Sequence, residues 1–259
     1  MTTTSNTHST LFRGMAIMQE VAASQRGLSV VELMEVVGLP KPTVHRIAVQ
    51  LETEGYLQRN PVDKRFTIGA LLKDFSLSIL SNVAVGAPRH AILEALSAEI
   101  GETCNCTMLD GNHIVYFDRV ECNWPVKINL HPGSHLPLHA TASGKLFLAH
   151  MKPRDRKRLL NAAPLSANTR QTLTDPELLE KDLKKMKEEG VAFDNEELFD
   201  GMVAVAVPVF DRSGRICFTV AVHAPTTRQQ LADLQQYIPS LRKAADALAA
   251  SYCSESDTA

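Results

Sequence analysis

The fold of the N-terminal part of this chain is decided within residues 28–57, where the sequence reads LSVVELMEVVGLPKPTVHRIAVQLETEGYL. Ser29 is a favoured N-cap residue and Gly38 can adopt the left-handed conformation that ends a helix, so a short helix is expected between them. A second helix follows within a few residues. Its first turn contains Pro42, where a missing N–H costs least, and Gly55 ends it. This spacing predicts a helix-turn-helix.

The second helix has an apolar face and a polar face. The apolar positions recur at helical spacing and are expected in the core: Val44, Ile47, Ala48 and Leu51. The opposite face carries Pro42, His45, Arg46, Val49 and Thr53. This outward face can meet DNA, because an arginine fork matches the two acceptors of guanine and imidazole can donate or accept at base edges. Arg46 and His45 are therefore the candidate base-reading residues.

Cationic and hydroxyl groups beside this face suit the DNA backbone. Lys41 and Thr43 stand near the N-terminus of the second helix, where unpaired N–H groups favour phosphate oxygens. Upstream, a helix is expected over 10–23, with Arg13 on its first turn as either a phosphate contact or a solvated side chain. Such contacts would position the protein on DNA and would not read sequence.

A hairpin wing is expected after the second helix. Residues 58–68 alternate polar and apolar side chains about a turn that contains Asn60 and Pro61. Lys64 and Arg65 stand at its tip, where they can reach the flanking backbone or the minor groove. The same sequence pattern is also expected of a winged helix that contacts proteins, or of a charged face that is only solvated.

Composition limits the function classes. With 259 residues the chain is long enough for a small domain and one of ordinary size. Its net charge of −2 gives no bulk affinity for nucleic acid, so DNA binding must depend on where the basic residues lie. No apolar run is long enough to cross a bilayer and no signal peptide is evident, which predicts a cytoplasmic protein. Five cysteines without repeating spacing indicate reduced thiols.

The sequence predicts four segments: a disordered tail at 1–9, the winged helix at 10–68, a linker helix at 69–87 and a second domain at 88–255. In the second domain, strands are expected at 103–109, 113–119, 126–131, 191–193, 202–210 and 215–223. Helices are expected at 89–100, 142–151, from 153, at 175–190 and at 227–252, with a break at Pro239. Strict βαβ alternation is absent, so the pattern predicts an α+β fold with an antiparallel sheet.

Enzymatic and metal-binding patterns are weak. Ser143-Gly144-Lys145 resembles a phosphate loop only faintly, because His139 stands where the first glycine belongs. Neither a Gly-x-Ser-x-Gly elbow nor a His-Glu-x-x-His pair occurs. The sequence therefore predicts neither catalysis nor a cofactor.

The remaining histidines and cysteines also carry no clear site. The residues His131, His135 and His139 recur every four positions, but intervening prolines and a glycine forbid the helix that would align them. Cys104 and Cys106 share one face of a predicted strand and are expected to be buried packing residues. No metal is therefore expected.

Several signatures together resemble one family, the IclR-type transcriptional regulators, over essentially the whole ordered chain. They are residues 28–57, Gly101-Glu-Thr, residues 136–145, residues 193–197 and residues 220–225. The resemblance implies a winged helix, a linker helix, a GAF-like C-terminal domain that binds a small metabolite, and dimers that often pair into tetramers on operator DNA. It also implies seven DNA-contacting residues: Arg13, Lys41, Thr43, His45, Arg46, Lys64 and Arg65. Pro42 is added to these predicted contacts because it lies on the outward face of the second helix.

The resemblance further implies an effector carboxylate at Ala142 and Ser143, where a helix begins. Free N–H groups and the Ser143 hydroxyl suit such an anion. The facing positions are expected to be Asn195, Ala204, Ala221 and His223, in place of the acid, the small thiol or hydroxyl, and the two serines of the familiar pattern. Asn105 is either another cavity residue or a buried core asparagine. A pocket with fewer hydroxyls and one imidazole predicts a bulkier or less polar effector, such as an aromatic or longer-chain carboxylate.

The implied mechanism is allosteric. Effector binding would change how the linker helices space two winged helices across a palindromic operator of a catabolic operon, as a repressor or an activator. A ligand-free dimerisation module fused to a winged helix, or a small-molecule enzyme, is the alternative.

Overall fold

The computed structural model describes residues 9–24, 26–80, 83–124, 133–162 and 164–253. Contacts divide the chain into two units, Met1–Leu80 and Ser81–Ala259. No helix in the described ranges is long and apolar enough to cross a membrane. Residues 1–8 of the tail expected at 1–9, and the strand expected at 126–131, lie outside the described residues.

The N-terminal unit contains three helices, a hairpin and a fourth helix. They are α1 (Thr10–Ala23), α2 (Val30–Val37), α3 (Lys41–Thr53), β1 (Leu57–Arg59), β2 (Phe66–Ile68) and α4 (Ala70–Leu80). Ser29 and Glu32 form a capping box at the start of α2, and Gly38 ends that helix at φ 65°. The helix-turn-helix and its wing are therefore confirmed, and the local signals for each helix end account for them.

One apolar core holds this unit together. Ile17 of α1, Leu33 of α2, Val44 of α3 and Phe66 of β2 are fully buried in it. Burying each such side chain stabilises the fold by roughly 1.5–3 kcal/mol relative to exposure. The wing is anchored to this core because β1 and β2 pair in antiparallel register.

Within the described residues, the C-terminal unit is built on a six-stranded antiparallel sheet in the order β5-β4-β3-β8-β7-β6. The strands are β3 (Thr103–Asp110), β4 (His113–Val120), β5 (His135–Pro137), β6 (Ala192–Asn195), β7 (Met202–Phe210) and β8 (Ile216–Pro225). The helices are α5 (Val83–Ile100), α6 (Ala142–His150), α7 (Pro153–Leu160), α8 (Pro176–Glu189), α9 (Leu231–Leu234) and α10 (Ile238–Cys253), with a 3₁₀ turn Gln235–Tyr237 before α10. The α+β class is confirmed, and the short edge strand β5 was not predicted.

Two helix boundaries differ from the prediction, and both involve proline. α5 begins at Val83 and continues through Pro88, where a linker and a later start were expected. Pro88 removes a single hydrogen bond near the start of the helix, and the helix forms despite that loss. At the other end of the unit, Pro239 lies in the first turn of α10 and does not break a longer helix. A proline is tolerated there because a first-turn N–H has no intrahelical partner.

α6 is held tightly against the sheet and determines where the site lies. Every residue of α6 except His150 is buried. A Cβ on Gly144 would lie 2.4 Å from the carbonyl oxygen of Leu138, so only glycine allows this close approach of the two backbones. The N-terminus of α6 is thereby fixed over the middle of the sheet.

Candidate DNA-binding and effector sites

The two faces of α3 have the burial that the sequence predicts. Val44, Ile47 and Ala48 are buried, whereas His45 and Arg46 are exposed. Pro42 and Lys41 are also exposed, and Thr43 is half-buried. Within the described part of the chain, the side chains of Lys41, His45 and Arg46 have no hydrogen-bond or ion-pair partner. These groups are therefore free to contact an external ligand.

The first turn of α3 offers fewer N–H groups for phosphate than expected. The Thr43 amide already donates to the Pro40 carbonyl at 2.9 Å, and Pro42 has no N–H. Phosphate binding at this end would depend mainly on side chains, chiefly that of Lys41.

The two basic residues of the wing differ. Lys64 is exposed at the tip with φ 56°, but Arg65 turns back and pairs with Glu32 of α2 at 2.6 Å. The Ser29 amide and the Arg65 guanidinium lower the pKa of Glu32 to about 2. The DNA contact predicted for Arg65 thus competes with an internal ion pair. Arg13 is half-buried and its Nε has no partner among the described residues, so it stays a candidate contact.

A small cavity lies between the N-terminus of α6 and one face of the sheet. Six of the seven predicted effector residues line it: Asn105, Ala142, Ser143, Ala204, Ala221 and His223. The further lining residues are Ile114, Tyr116, Thr141, Asp194, Leu198, Phe199, Met202 and Val203. Residues far apart in the sequence are therefore brought together as the family resemblance implies.

The prediction for Asn195 was wrong by one position. Asn195 is exposed, whereas Asp194 is buried and lines the cavity. In β6 the partner of Asp194 is Ala204, another cavity residue. Because side chains alternate along a strand, a shift of one residue exchanges the two faces of the sheet. The cavity therefore keeps an acidic side chain.

Asp194 has an unusual protonation equilibrium. Burial raises its pKa to about 7, against the opposing effects of the Glu197 amide and the Lys145 charge. The amides of Glu197 and Leu198 donate to its Oδ1 at 2.7 and 3.3 Å. Asp194 therefore shapes the turn after β6 and is near half-protonation at neutral pH.

A buried ion pair supports the same turn and was missed by sequence reasoning. Lys145 of α6 is 2% exposed; its Nζ donates to the Phe193 carbonyl at 3.1 Å and pairs with the Glu197 carboxylate. The only indication of this pair in the sequence was that Lys145 is the last residue of the family signature 136–145 and Glu197 the last of the signature 193–197. The pair ties the site helix to the turn after β6, whose amides donate to Asp194.

The N-terminus of α6 presents hydrogen-bond donors to the cavity. Thr141 caps the helix by accepting the Gly144 amide at 3.1 Å, and no bond between described residues uses the Ala142 or Ser143 amide. Thr219 donates its hydroxyl proton to Ser143 at 2.8 Å, so Thr107, 2.6 Å from Thr219, must donate to Thr219. The Ser143 proton is then left for the cavity. Three donors can therefore face an anion.

Asn105 and His223 form the polar part of the sheet wall. Asn105 lies in the cavity wall and is also buried and hydrogen-bonded, with its Nδ2 3.1 Å from Nδ1 of His223. Burial lowers the pKa of His223 to about 3, although part of its ring surface is accessible. His223 is thus a neutral imidazole at physiological pH.

The cavity is smaller than the predicted bulkier effector requires. Its volume is about 40 Å³. One water needs roughly 10–15 Å³ of such space and a benzene-sized cavity has about 150 Å³. In the described structure the cavity is therefore too small for an aromatic acid.

Three of the cysteines behave as packing residues. Cys104, Cys106 and Cys122 are buried and unpaired, and burial raises the pKa of the Cys104 and Cys106 thiols. No group of three or more His, Cys, Asp or Glu side chains suited to a metal is found in the described ranges. His131 lies outside them.

A winged helix-turn-helix with an exposed basic face on its second helix, in a chain with a second unit built on a sheet, is the architecture of a class of DNA-binding regulators. The model of the IclR helix-turn-helix domain matches residues 10–61, and that of the bacterial transcriptional regulator IclR C-terminal domain matches residues 77–250. The chain belongs to the IclR family and is a DNA-binding transcriptional regulator.

Individual relatives agree with this assignment. A probable transcriptional regulator, SauR of Cupriavidus necator, is 39% identical over 241 residues, which cover 93% of this chain and 96% of the relative. The transcriptional repressor IclR of Escherichia coli is 30% identical, over 84% of this chain and 80% of the repressor. The crystal structure of Thermotoga maritima IclR superposes with a TM-score of 0.62 at 27% identity, covering 93% of this chain and 98% of that one.

Proposed function

We propose that this protein regulates a catabolic operon by binding operator DNA as a homodimer or homotetramer under the control of a small organic acid held in the cavity. The observation that carries this proposal is that Ala142 and Ser143, whose amides and whose Ser143 hydroxyl proton are left without an acceptor among the described residues, line the cavity at the N-terminus of α6. Three donors at a helix N-terminus suit a carboxylate. A protonated Asp194 is neutral and would not repel the effector carboxylate.

The DNA-binding part of the proposal rests on α3. Arg46 and His45 are placed to meet base edges, and Lys41, Lys64 and Arg13 to meet the backbone. Pro42 and Thr43 lie on the same surface, and Arg65 would contact DNA only if its bond to Glu32 opened.

Self-association is supported by a row of apolar side chains on α4. Leu71, Phe75 and Ile79 recur every four residues and are all exposed. A continuous apolar row in water is costly and typical of an interface. A second copy of the chain, which carries the same row, would cover it and would bring two winged helices to one palindromic operator.

An aromatic acid is a second candidate effector. The inducer-binding domain of PobR from Acinetobacter, 27% identical with a TM-score of 0.59 over 62% of this chain and 94% of that one, was solved as a double mutant with 3-hydroxybenzoic acid. For this chain such a ligand would require a larger cavity than the described one.

The effector proposal predicts stabilisation by acids. In thermal unfolding of the full-length protein, at least one short carboxylic acid is expected to raise the melting temperature and to change operator affinity. Ser143→Ala is expected to weaken that binding about tenfold, because it removes one donor to a charged group. Ser213→Ala, on an exposed turn, is the matched control. If no acid stabilises the protein, the ligand-free module is the correct interpretation.

The DNA proposal predicts that substitutions of Arg46 and of Lys64 lower DNA affinity in different ways. Arg46→Ala is expected to cost about 1–3 kcal/mol at an operator selected from random duplexes and to relax base preference. Lys64→Ala is expected to weaken all sequences alike and to lower the salt dependence. Fluorescence anisotropy with the selected and scrambled duplexes measures both. Equal losses of Arg46→Ala on the two duplexes would contradict a base-reading role.

A further inference from the structure

Asn105 has an unused hydrogen-bond acceptor inside the cavity wall. The side chain is 1% exposed, and its Nδ2 lies 3.1 Å from His223 Nδ1. Its Oδ1 is buried and has no partner among the described residues. Buried carbonyl oxygens are rarely left unpaired, because such an atom has lost its water without replacement. Because Asn105 is also one of the residues that line the cavity, a donor on the ligand is the partner that could satisfy this oxygen.

His223 supplies the complementary group. Because Nδ1 accepts from Asn105, the ring proton of the neutral imidazole is on Nε2. No described residue accepts from that Nε2. The Asn105–His223 pair therefore offers one free acceptor and one free donor on the sheet side of a cavity whose other side is the N-terminus of α6.

A hydroxyl is the common ligand group that both donates and accepts. A keto oxygen can accept from His223 but cannot satisfy Asn105, and a methyl group satisfies neither. We infer that the effector is a compact hydroxy acid, with its carboxylate at Ala142 and Ser143 and its hydroxyl at the Asn105–His223 pair. This inference rests on the proposed control by an organic acid and specifies the chemistry of that acid. The cavity volume of about 40 Å³ favours a short aliphatic chain.

The test uses acids that differ in a single group. Calorimetric titration of the full-length protein compares propionate, pyruvate and both enantiomers of lactate, followed by the longer pair butyrate and 3-hydroxybutyrate. Among acids of one chain length that bind, the hydroxy acid is expected to bind at least about tenfold more tightly than the alkanoic acid. The keto acid is expected to have an intermediate affinity. This comparison uses the unmodified protein, so its result does not depend on whether a variant folds.

Variants then locate the preference. Asn105→Leu has a similar volume and no polar atom, so it is expected to remove the preference for the hydroxy acid over the alkanoic acid. His223→Phe is expected to act in the same way. Ser143→Ala is the contrasting variant, because it is expected to weaken all the acids equally. The fluorescence of Trp124 confirms that each variant is folded.

The outcomes separate this inference from the proposed function. Equal affinity for hydroxy and alkanoic acids would overturn the hydroxy-acid inference and leave control by an organic acid in place. A hydroxyl preference that survives in both Asn105→Leu and His223→Phe would overturn the assignment to this pair. Failure of every acid to bind would overturn the proposed effector control itself.

Discussion

Replacing Lys145 by methionine is expected to lower the free energy of unfolding of the C-terminal unit by about 3–5 kcal/mol. Lys145 and Glu197 are both buried, so the substitution leaves the Glu197 carboxylate without its counter-charge. The same change removes the charge that opposes the raised pKa of Asp194. Urea unfolding of the full-length protein, followed by the fluorescence of Trp124, the only tryptophan, reports on this unit.

Two controls make this result specific. Lys185→Met breaks the exposed pair of Lys185 with Glu189, and it is expected to cost no more than about 0.5 kcal/mol. Lys145→Met combined with Glu197→Leu removes both charges and is expected to recover most of the loss, since an apolar pair can replace a buried ion pair. A loss for Lys145→Met as small as that for Lys185→Met would show that the buried pair contributes little.

Asp194→Asn is expected to stabilise the protein at pH 8. The ordinary pKa of aspartate is 3.8, and that of Asp194 in the native state is about 7. Between these values the unfolded chain has lost a proton that the native state retains. The free energy of unfolding therefore falls as pH rises from about 4 to about 7 and is level above. Asparagine keeps the Oδ1 acceptor and removes this penalty, which gives a gain of about 2–4 kcal/mol at pH 8 and little change at pH 4.

Urea unfolding at the two pH values, again with Trp124 as reporter, measures this effect. Asp211→Asn is the opposite-sign control, because the Ser213 hydroxyl and the Arg215 groups lower the pKa of Asp211 to about 2. That variant is expected to lose a little stability at pH 8. If Asp194→Asn were no more stable than the parent at pH 8, Asp194 would be ionised in the native state without cost.

The winged helix could be predicted closely because its signals are local. The capping box of Ser29 and Glu32, the left-handed Gly38 and the spacing of Val44, Ile47 and Ala48 all act within a few residues along the chain. The same holds for the N-terminus of α6, where Thr141 caps the helix whose first amides face the cavity. Family signatures added the expectation of which exposed groups contact DNA or effector.

The effector site was predicted less completely because its contacts join distant segments. The Asn105–His223 bond spans 118 positions, and the Thr219–Ser143 bond spans 76. Whether Asp194 or Asn195 faces the cavity depends on the register of β6, which is set by its pairing with β7. A single-residue error there exchanged a neutral amide for the buried acid Asp194.

The sequence by itself determined that this protein has a helix-turn-helix with an exposed polar face and a hairpin wing, since each follows from propensity, capping and spacing over short stretches. The anion site at the start of α6 was implied by the family resemblance. Only the tertiary structure decided which acid lines the cavity, that Arg65 pairs internally, and how small the cavity is. Those properties depend on strand register and on packing between segments far apart in the chain. No local pattern encodes them.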